Sequence, residues 1–219
     1  MNQLLLQAQV ISFSLLGVVA IVPGPDKQGN LRIKGPFNNV ISYVGIAFLL
    51  GPWLAIPFLA QPRFIGNVKT ILAIAGAGLG LAGATLYALS LKVLLPAFRG
   101  QFSEFTPGQL VTQGPYQYVR HPIYLACLMI FFGIYTALGA SLSLVFLPLC
   151  YLLLRLVTIY EEKRILIPRF STEYLKYRER VRSAILGTWG GLVFAVLYLL
   201  LAGMSLGNLM NVVDIPFIK

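Results

Sequence analysis

The chain has 219 residues, of which 58% are hydrophobic and only 11% charged, with a mean hydropathy of +0.79. A soluble domain carries about 25% charged residues, so this sequence has too little polar material to cover a globule and reads as an integral membrane protein. Its net charge of +10 does not make it a nucleic-acid binder, because no soluble stretch is long enough to gather those cations on one folded face.

A helix needs about 20 mostly apolar residues to cross a bilayer, and six stretches qualify, roughly 4–22, 40–60, 70–95, 122–140, 142–160 and 185–206. The expected fold is therefore all-α, a polytopic membrane protein of about six transmembrane helices. The first stretch is read as a retained helix and not a signal peptide, since Met1, Asn2 and Gln3 carry no basic side chain. Gly51-Pro52 in the second reads as a kink. In the third, Gly78-x-Gly80-x-x-Gly83 has the spacing of a dinucleotide-binding turn, but that motif works only between a strand and a helix N-terminus. Inside an apolar span, Gly76 and Gly80 read instead as a surface that lets another helix approach. Only Gly139, Ala140 and Ser141 separate the fourth and fifth stretches, which predicts a tight helical hairpin. Cys127 and Cys150 lie in apolar runs and imply no disulfide framework.

Alternating six spans places the connections 23–39, 92–121 and 161–184 on one side. That side holds thirteen cations: Lys27, Arg32, Lys34, Lys92, Arg99, Arg120, Lys163, Arg164, Arg169, Lys176, Arg178, Arg180 and Arg182. The other holds Arg63, Lys69 and Lys219. The positive-inside rule then makes the first side cytoplasmic.

Two cytoplasmic segments carry the unusual residues. In the first, Gly114-Pro115 marks a turn, Tyr116 and Tyr118 suit an interface, and Arg120-His121-Pro122 stands at the entrance of the fourth helix, with Pro122 fitting its first turn. His121 is the sole histidine. With no His-Glu-x-x-His motif, no metal site is expected. Taken alone, Arg120 beside this histidine reads equally as a snorkelling interfacial anchor and as part of a functional site. In the second, Arg155 lies near the end of the fifth span and Glu161-Glu162 follow it. Adjacent carboxylates at a helix C-terminus oppose the helix dipole, and an ionisable residue in a membrane helix calls for a partner. Arg155 and Glu162, seven apart, share a helical stripe, so Glu162 is the first candidate. Phe170, Tyr174, Tyr177 and Val181 then recur at helical spacing among basic residues, an amphipathic helix that either rests on anionic lipid or lids the site.

Together, Leu110-Val111-Thr112-x-Gly114-x-Tyr116, Arg120-His121-Pro122-x-Tyr124, Glu161-Glu162 and Glu173-Tyr174-x-x-Tyr177-x-x-x-Val181 resemble the isoprenylcysteine carboxyl methyltransferase family. Related phospholipid and small-thiol membrane methyltransferases share the pattern. The resemblance covers about residues 108–182 and implies a methyltransferase core there, between N-terminal helices in 1–107 and an additional C-terminal helix in 183–219. It implies S-adenosylmethionine as cofactor, held in a cytoplasmic pocket by Gln109, Leu110, Val111, Tyr116, His121, Pro122, Ile123, Tyr124 and Glu162. The acceptor is expected to be lipidic or membrane-partitioned: a carboxylate like that of an isoprenylated cysteine, or a lipid amine or thiol. Arg155 is expected to orient it, and Glu161 to act as base if the acceptor is an amine. The sequence departs from carboxyl-methylating members at the position four before Glu162, where Thr158 replaces their arginine. It leaves the oligomeric state open. Two other classes stand beside this one. One is a membrane reductase whose nicotinamide cofactor would meet Lys163, Arg164 and Arg169; the other is a non-catalytic lipid-binding protein.

Single cysteines introduced at Gln113 and Ser171 are expected to label from the same side of the membrane, opposite to one at Asn67. Labelling of positions 113 and 67 from one side would overturn the topology.

Overall fold

The structure, a computed structural model, describes residues 3–21, 36–98 and 109–212. Lys27, Arg32, Lys34, Arg99 and Lys219 of the charge count, and the expected 107/108 boundary, lie outside the described residues. Among those described there are seven α-helices and no strand beyond one isolated bridge. The helices are α1 (Gln3–Ile21), α2 (Pro36–Ala55), α3 (Gly66–Leu94), α4 (Pro122–Ala137), α5 (Ser141–Glu161), α6 (Ile167–Arg180) and α7 (Thr188–Val212).

This is the expected all-helical membrane architecture. Three helical stretches, Asn67–Ala97, the continuous α5–α6 run Ser141–Arg180, and Thr188–Gly207, are long and apolar enough to cross a membrane. The apolar stretches Gln3–Gly17, Val44–Phe58 and Pro122–Ala137 lie in α1, α2 and α4, the first two being parts of helices of 19 and 20 residues. No proline and no charge interrupts α3 between Lys69 and Lys92, so it runs 29 residues, about 43 Å at 1.5 Å per residue. Pro52 lies inside α2, which passes into a 3₁₀ turn at Ile56–Phe58. Expected to begin at 185, the last span starts at 188, because the carbonyls of Ser183 and Ala184 are held outside the helix by the backbone N–H groups of Arg120 and His121.

Small residues set the helix contacts. A Cβ on Gly76 would meet Ala137 N and, at 2.5 Å, Gly133 O; one on Gly133 would fall 2.5 Å from Gly80 N. The backbones of α3 and α4 therefore approach as closely as glycine allows. The Gly78-x-Gly80-x-x-Gly83 string is part of this packing surface, with Gly83 against Ala126 and Ile130, while Gly78 faces open space. Gly17 plays the same role between α1 and α2, against Gly45 and Leu49.

At one end of the bundle the segment after α2 locks onto the α4–α5 turn. Arg63 donates to Leu138 O at 3.0 Å and to Pro57 O at 2.7 Å, and Gln61 Nε2 donates to Ser143 Oγ at 3.0 Å. Gly139, with φ +61°, supplies the left-handed turn that closes the hairpin. The motif loop and the α5–α6 joint lie at the opposite end. Trp53, Phe131, Tyr135, Leu144, Leu147 and Leu154 form the buried core between the two ends.

Gly133→Leu forces bulk into the α3–α4 contact, and overpacking of this kind costs about 1–3 kcal/mol or more. Gly78→Leu meets no neighbour. Thermal unfolding in detergent should therefore show a clear drop in melting temperature for the first variant and none for the second.

Candidate functional site

The site is built where three segments converge. The loop 109–121 turns at Gly114, whose φ of +58° and closeness to Val93 suit glycine, and passes through a 3₁₀ turn at Gly114–Gln117. Pro122 then starts α4 with His121 as its N-cap residue. Arg120 N donates to Ser183 O and His121 N to Ala184 O, each at 2.9 Å, which stitches this loop to the connection between α6 and α7.

The buried carboxylate of Glu162 is the centre. Arg120 Nε donates to its Oε1 at 2.9 Å, and His121 Nε2 lies 3.0 Å from the same oxygen. Arg120 Nη1 also donates to Val181 O at 2.7 Å and Arg182 O at 2.8 Å. His121 Nδ1 is 3.3 Å from Glu161 Oε2, so both ring nitrogens are engaged, one with each carboxylate. Tyr124 stacks on the imidazole, with centroids 5.7 Å apart, and its phenol faces Glu161.

Burial by itself would raise the pKa of Glu162, but hydrogen bonds from His121 and Arg120 and their charges hold it down at about 2. Burial would lower that of His121; hydrogen bonds to Glu161 and Glu162 and the charges of both carboxylates outweigh this and raise it. Both residues lie at the ends of apolar helices, His121 just before α4 and Glu162 past the end of α5, in the polar part of the Ser141–Arg180 run. The site holds an ionised carboxylate clamped by Arg120 and by an imidazole whose protonated form both glutamates favour.

The two carboxylates do not end a helix. The backbone continues from α5 through a π-helical turn at Glu162–Leu166 into α6, so the dipole conflict expected from the sequence is relieved by continuation and by counter-charges. Widened turns of this kind recur at functional sites. α6 bends at Ser171 (φ 44°) and folds its apolar stripe inward: Tyr174, Tyr177 and Val181 are buried, with Phe170, Leu166, Ile167 and Leu110 packed around them. Tyr177 donates to Tyr116 O at 2.6 Å. α6 thus covers the motif loop.

Of the residues singled out from the sequence, Tyr116, His121, Tyr124, Glu161 and Glu162 come together here. Pro122 is buried beside them at the start of α4, Ile123 is half-buried against the core, and Leu110 lies under α6. Val111 is half-buried in the loop, and Gln109 is exposed at its edge. Arg155 does not pair with Glu162, contrary to expectation. Its guanidinium donates to Thr158 Oγ1 at 3.1 Å, and that hydroxyl donates back to Arg155 O at 2.8 Å. The partner of Glu162 is Arg120, for which the sequence alone leaves a snorkelling anchor and a functional role open; it is buried. The available signal was adjacency, since Arg120 stands next to the one histidine that also reaches Glu162. Among the described residues no cluster of His, Cys, Asp and Glu could hold a metal ion.

Because the pKa of His121 is raised, the stability it adds is fully present below its ordinary value of about 6.5 and is lost as pH rises through the raised one. The gap in melting temperature between the wild type and His121→Ala should therefore be wider at about pH 6 than at about pH 9. An unchanged gap would mean that only the neutral ring contributes.

No curated protein and no solved structure matches the chain. Residues 68–173, from the start of α3 into α6, match the phospholipid methyltransferase family, a relative of the family that the motif resembles.

Proposed function

We propose that the protein is an S-adenosylmethionine-dependent methyltransferase that methylates the amine headgroup of a phospholipid-like acceptor, with its active site on the cytoplasmic side of the membrane. The observation that carries the reading is the ionised, buried Glu162 set among Arg120, His121 and tyrosine rings at the polar end of apolar helices. S-adenosylmethionine supplies an electrophilic methyl on a cationic sulfonium. Glu162 and the faces of Tyr116 and Tyr124 suit a cation of that kind. Leu110, Val111, Pro122 and Ile123 offer an apolar wall, with Gln109 at the rim, and His121 orients the two carboxylates. The core is assigned to 108–182, between N-terminal helices in 1–107 and a further helix in 183–219. The family match favours methyl transfer over nicotinamide-dependent reduction.

Thr158 discriminates between acceptors. It is fully buried and bonded to Arg155, so the position that carries an arginine in the carboxyl-methylating relatives presents no charge. Arg155 reaches forward to the level of residue 158 and can hold the phosphate of a lipid headgroup. Glu161, half-exposed beside His121, can take the proton that an amine loses on methylation. Holding amine and methyl in line while lipid and α6 exclude water accounts for the acceleration.

The test is methyl-labelled cofactor with liposomes of defined headgroup. Label should enter an aminophospholipid and not its amine-blocked counterpart. Glu161→Gln should cut turnover by about a hundredfold, Arg155→Ala should abolish it with cofactor affinity nearly intact, and Glu162→Ala should lose both. A labelled carboxyl ester as product would reject the amine assignment.

A further inference from the structure

The polar cluster is covered in this structure. Tyr116, His121 and Glu162 are 8%, 6% and 7% exposed, although in the reading above they are the side chains that meet a donor arriving from water. What lies over the loop that carries Tyr116 and His121 is α6, through Tyr174, Tyr177 and Val181. A donor reaching those groups from the aqueous side has to displace this cover.

The cover is lightly held. Of residues 172–180 only Tyr174 and Tyr177 are buried, and the other seven are exposed. Their cluster is separate from the main core of the bundle and takes Leu110 from the loop, while the Tyr177 hydroxyl ties it to Tyr116 O at 2.6 Å. A segment with so few buried side chains belongs to the low-stability end of a fold, where local opening occurs. Beyond it the chain is pinned again: Arg120 Nη1 holds Val181 O and Arg182 O, and the backbone N–H groups of Arg120 and His121 hold Ser183 O and Ala184 O. Movement is therefore confined to 172–180.

The near end of this segment carries a biased hinge. Ser171 has φ 44° and ψ −120° inside α6, and among the described residues it is the one non-glycine with positive φ. That conformation is strained for a residue with a Cβ. A return of Ser171 to helical angles would relieve the strain and swing the residues after it off the loop, with Val181, already non-helical at φ −106° and ψ 87°, flexing at the other end. The bent state is thus kept by the two tyrosines against its own backbone, the mark of an element with two arrangements.

We propose that α6 is a gate for the methyl donor: residues 172–180 pivot at Ser171, lifting Tyr174 and Tyr177 from the loop to admit the donor and then folding back. The inference rests on the methyltransferase reading above and goes further by naming the moving element and its hinge.

The experiment compares Ser171→Gly with Ser171→Ala in the full chain. Ser171 is exposed, so neither change removes a packed side chain. Glycine accepts a positive φ without strain and is a poor helix former, so it favours the bent state. Alanine keeps the strain of the bend and is the best helix former, so it favours the lifted one. Hydrogen exchange of 172–180 should slow by about tenfold in the first and quicken in the second. Surface plasmon resonance should show S-adenosylhomocysteine associating more slowly with the glycine variant than with the wild type, and faster with the alanine variant. Association rates equal in all three proteins would overturn the gate, whatever the exchange shows. Shifts of one sign in both variants, with a lowered melting temperature, would overturn it in favour of a fixed bend. If the wild type bound no S-adenosylhomocysteine, the methyltransferase reading would fall and the gate with it, a result distinct from binding at rates indifferent to the hinge.

Discussion

A carboxylate taken out of water has to be neutralised where it is buried, and the polar end of this bundle is arranged around that requirement at Glu162. Removing one member of a buried pair leaves an uncompensated charge that costs about 3–5 kcal/mol. The two partners that meet the need, Arg120 and His121, come from a loop about forty residues away in sequence. Arg120 continues past the carboxylate to the carbonyls of Val181 and Arg182, and the backbone beside it holds Ser183 and Ala184. One charge pair thereby fixes the motif loop, the α5–α6 joint and the exit of α6 relative to one another. The late start of α7 and the inward turn of the Tyr174–Tyr177–Val181 stripe both follow from this fixed exit.

That arrangement needs a firm base, which the apolar part of the bundle provides by close backbone approach. Gly76 and Gly83 on α3 and Gly133 on α4 leave no room for a side chain between the two helices. At the far end Arg63 and Gln61 bind the α4–α5 turn through carbonyls and a serine hydroxyl. α4 and α5 are therefore pinned at one end by this corner and at the other by the Glu162 cluster. Their separation near His121 and Glu162 is set by packing, so the site does not depend on loop conformation alone.

Helix positions were legible in the sequence wherever the apolar run was bounded by a strong signal, as with Pro122 opening α4 and Gly139 closing the hairpin. The glycines of α3 were legible too, because a dinucleotide turn needs a strand that an apolar span cannot supply. The pairing of Glu162 was not. Helical periodicity offers only partners on the same helix and so pointed to Arg155, whereas the cation that neutralises Glu162 reaches it across a tertiary contact. The continuation of α5 through a π turn was equally hidden, since adjacent glutamates look like a helix end until their counter-charges are placed. Tyr174 and Tyr177 illustrate the same limit: they share one stripe in sequence, and only the fold shows that Tyr177 reaches back to the carbonyl of Tyr116.

The placement of Arg155 gives the proposed chemistry its direction. On α5 the residues Leu154, Val157, Thr158 and Glu162 are buried, while Leu149, Leu152 and Leu156 are exposed on an apolar face that only lipid can solvate. Arg155 is half-buried at the border between these faces, its guanidinium steadied by Thr158. In the proposed reading an acceptor sliding along the lipid-facing side of α5 meets a cation at the edge of the bundle before it meets the carboxylates. An arginine at such a border can hold a phosphate at the depth of the interface while the acyl chains stay in the bilayer. The headgroup amine, a few bonds beyond the phosphate, then extends toward Glu161 at the polar end. In that reading the water-soluble donor and the lipid acceptor are led to one place from opposite media, with α6, folded over the loop, on the aqueous side.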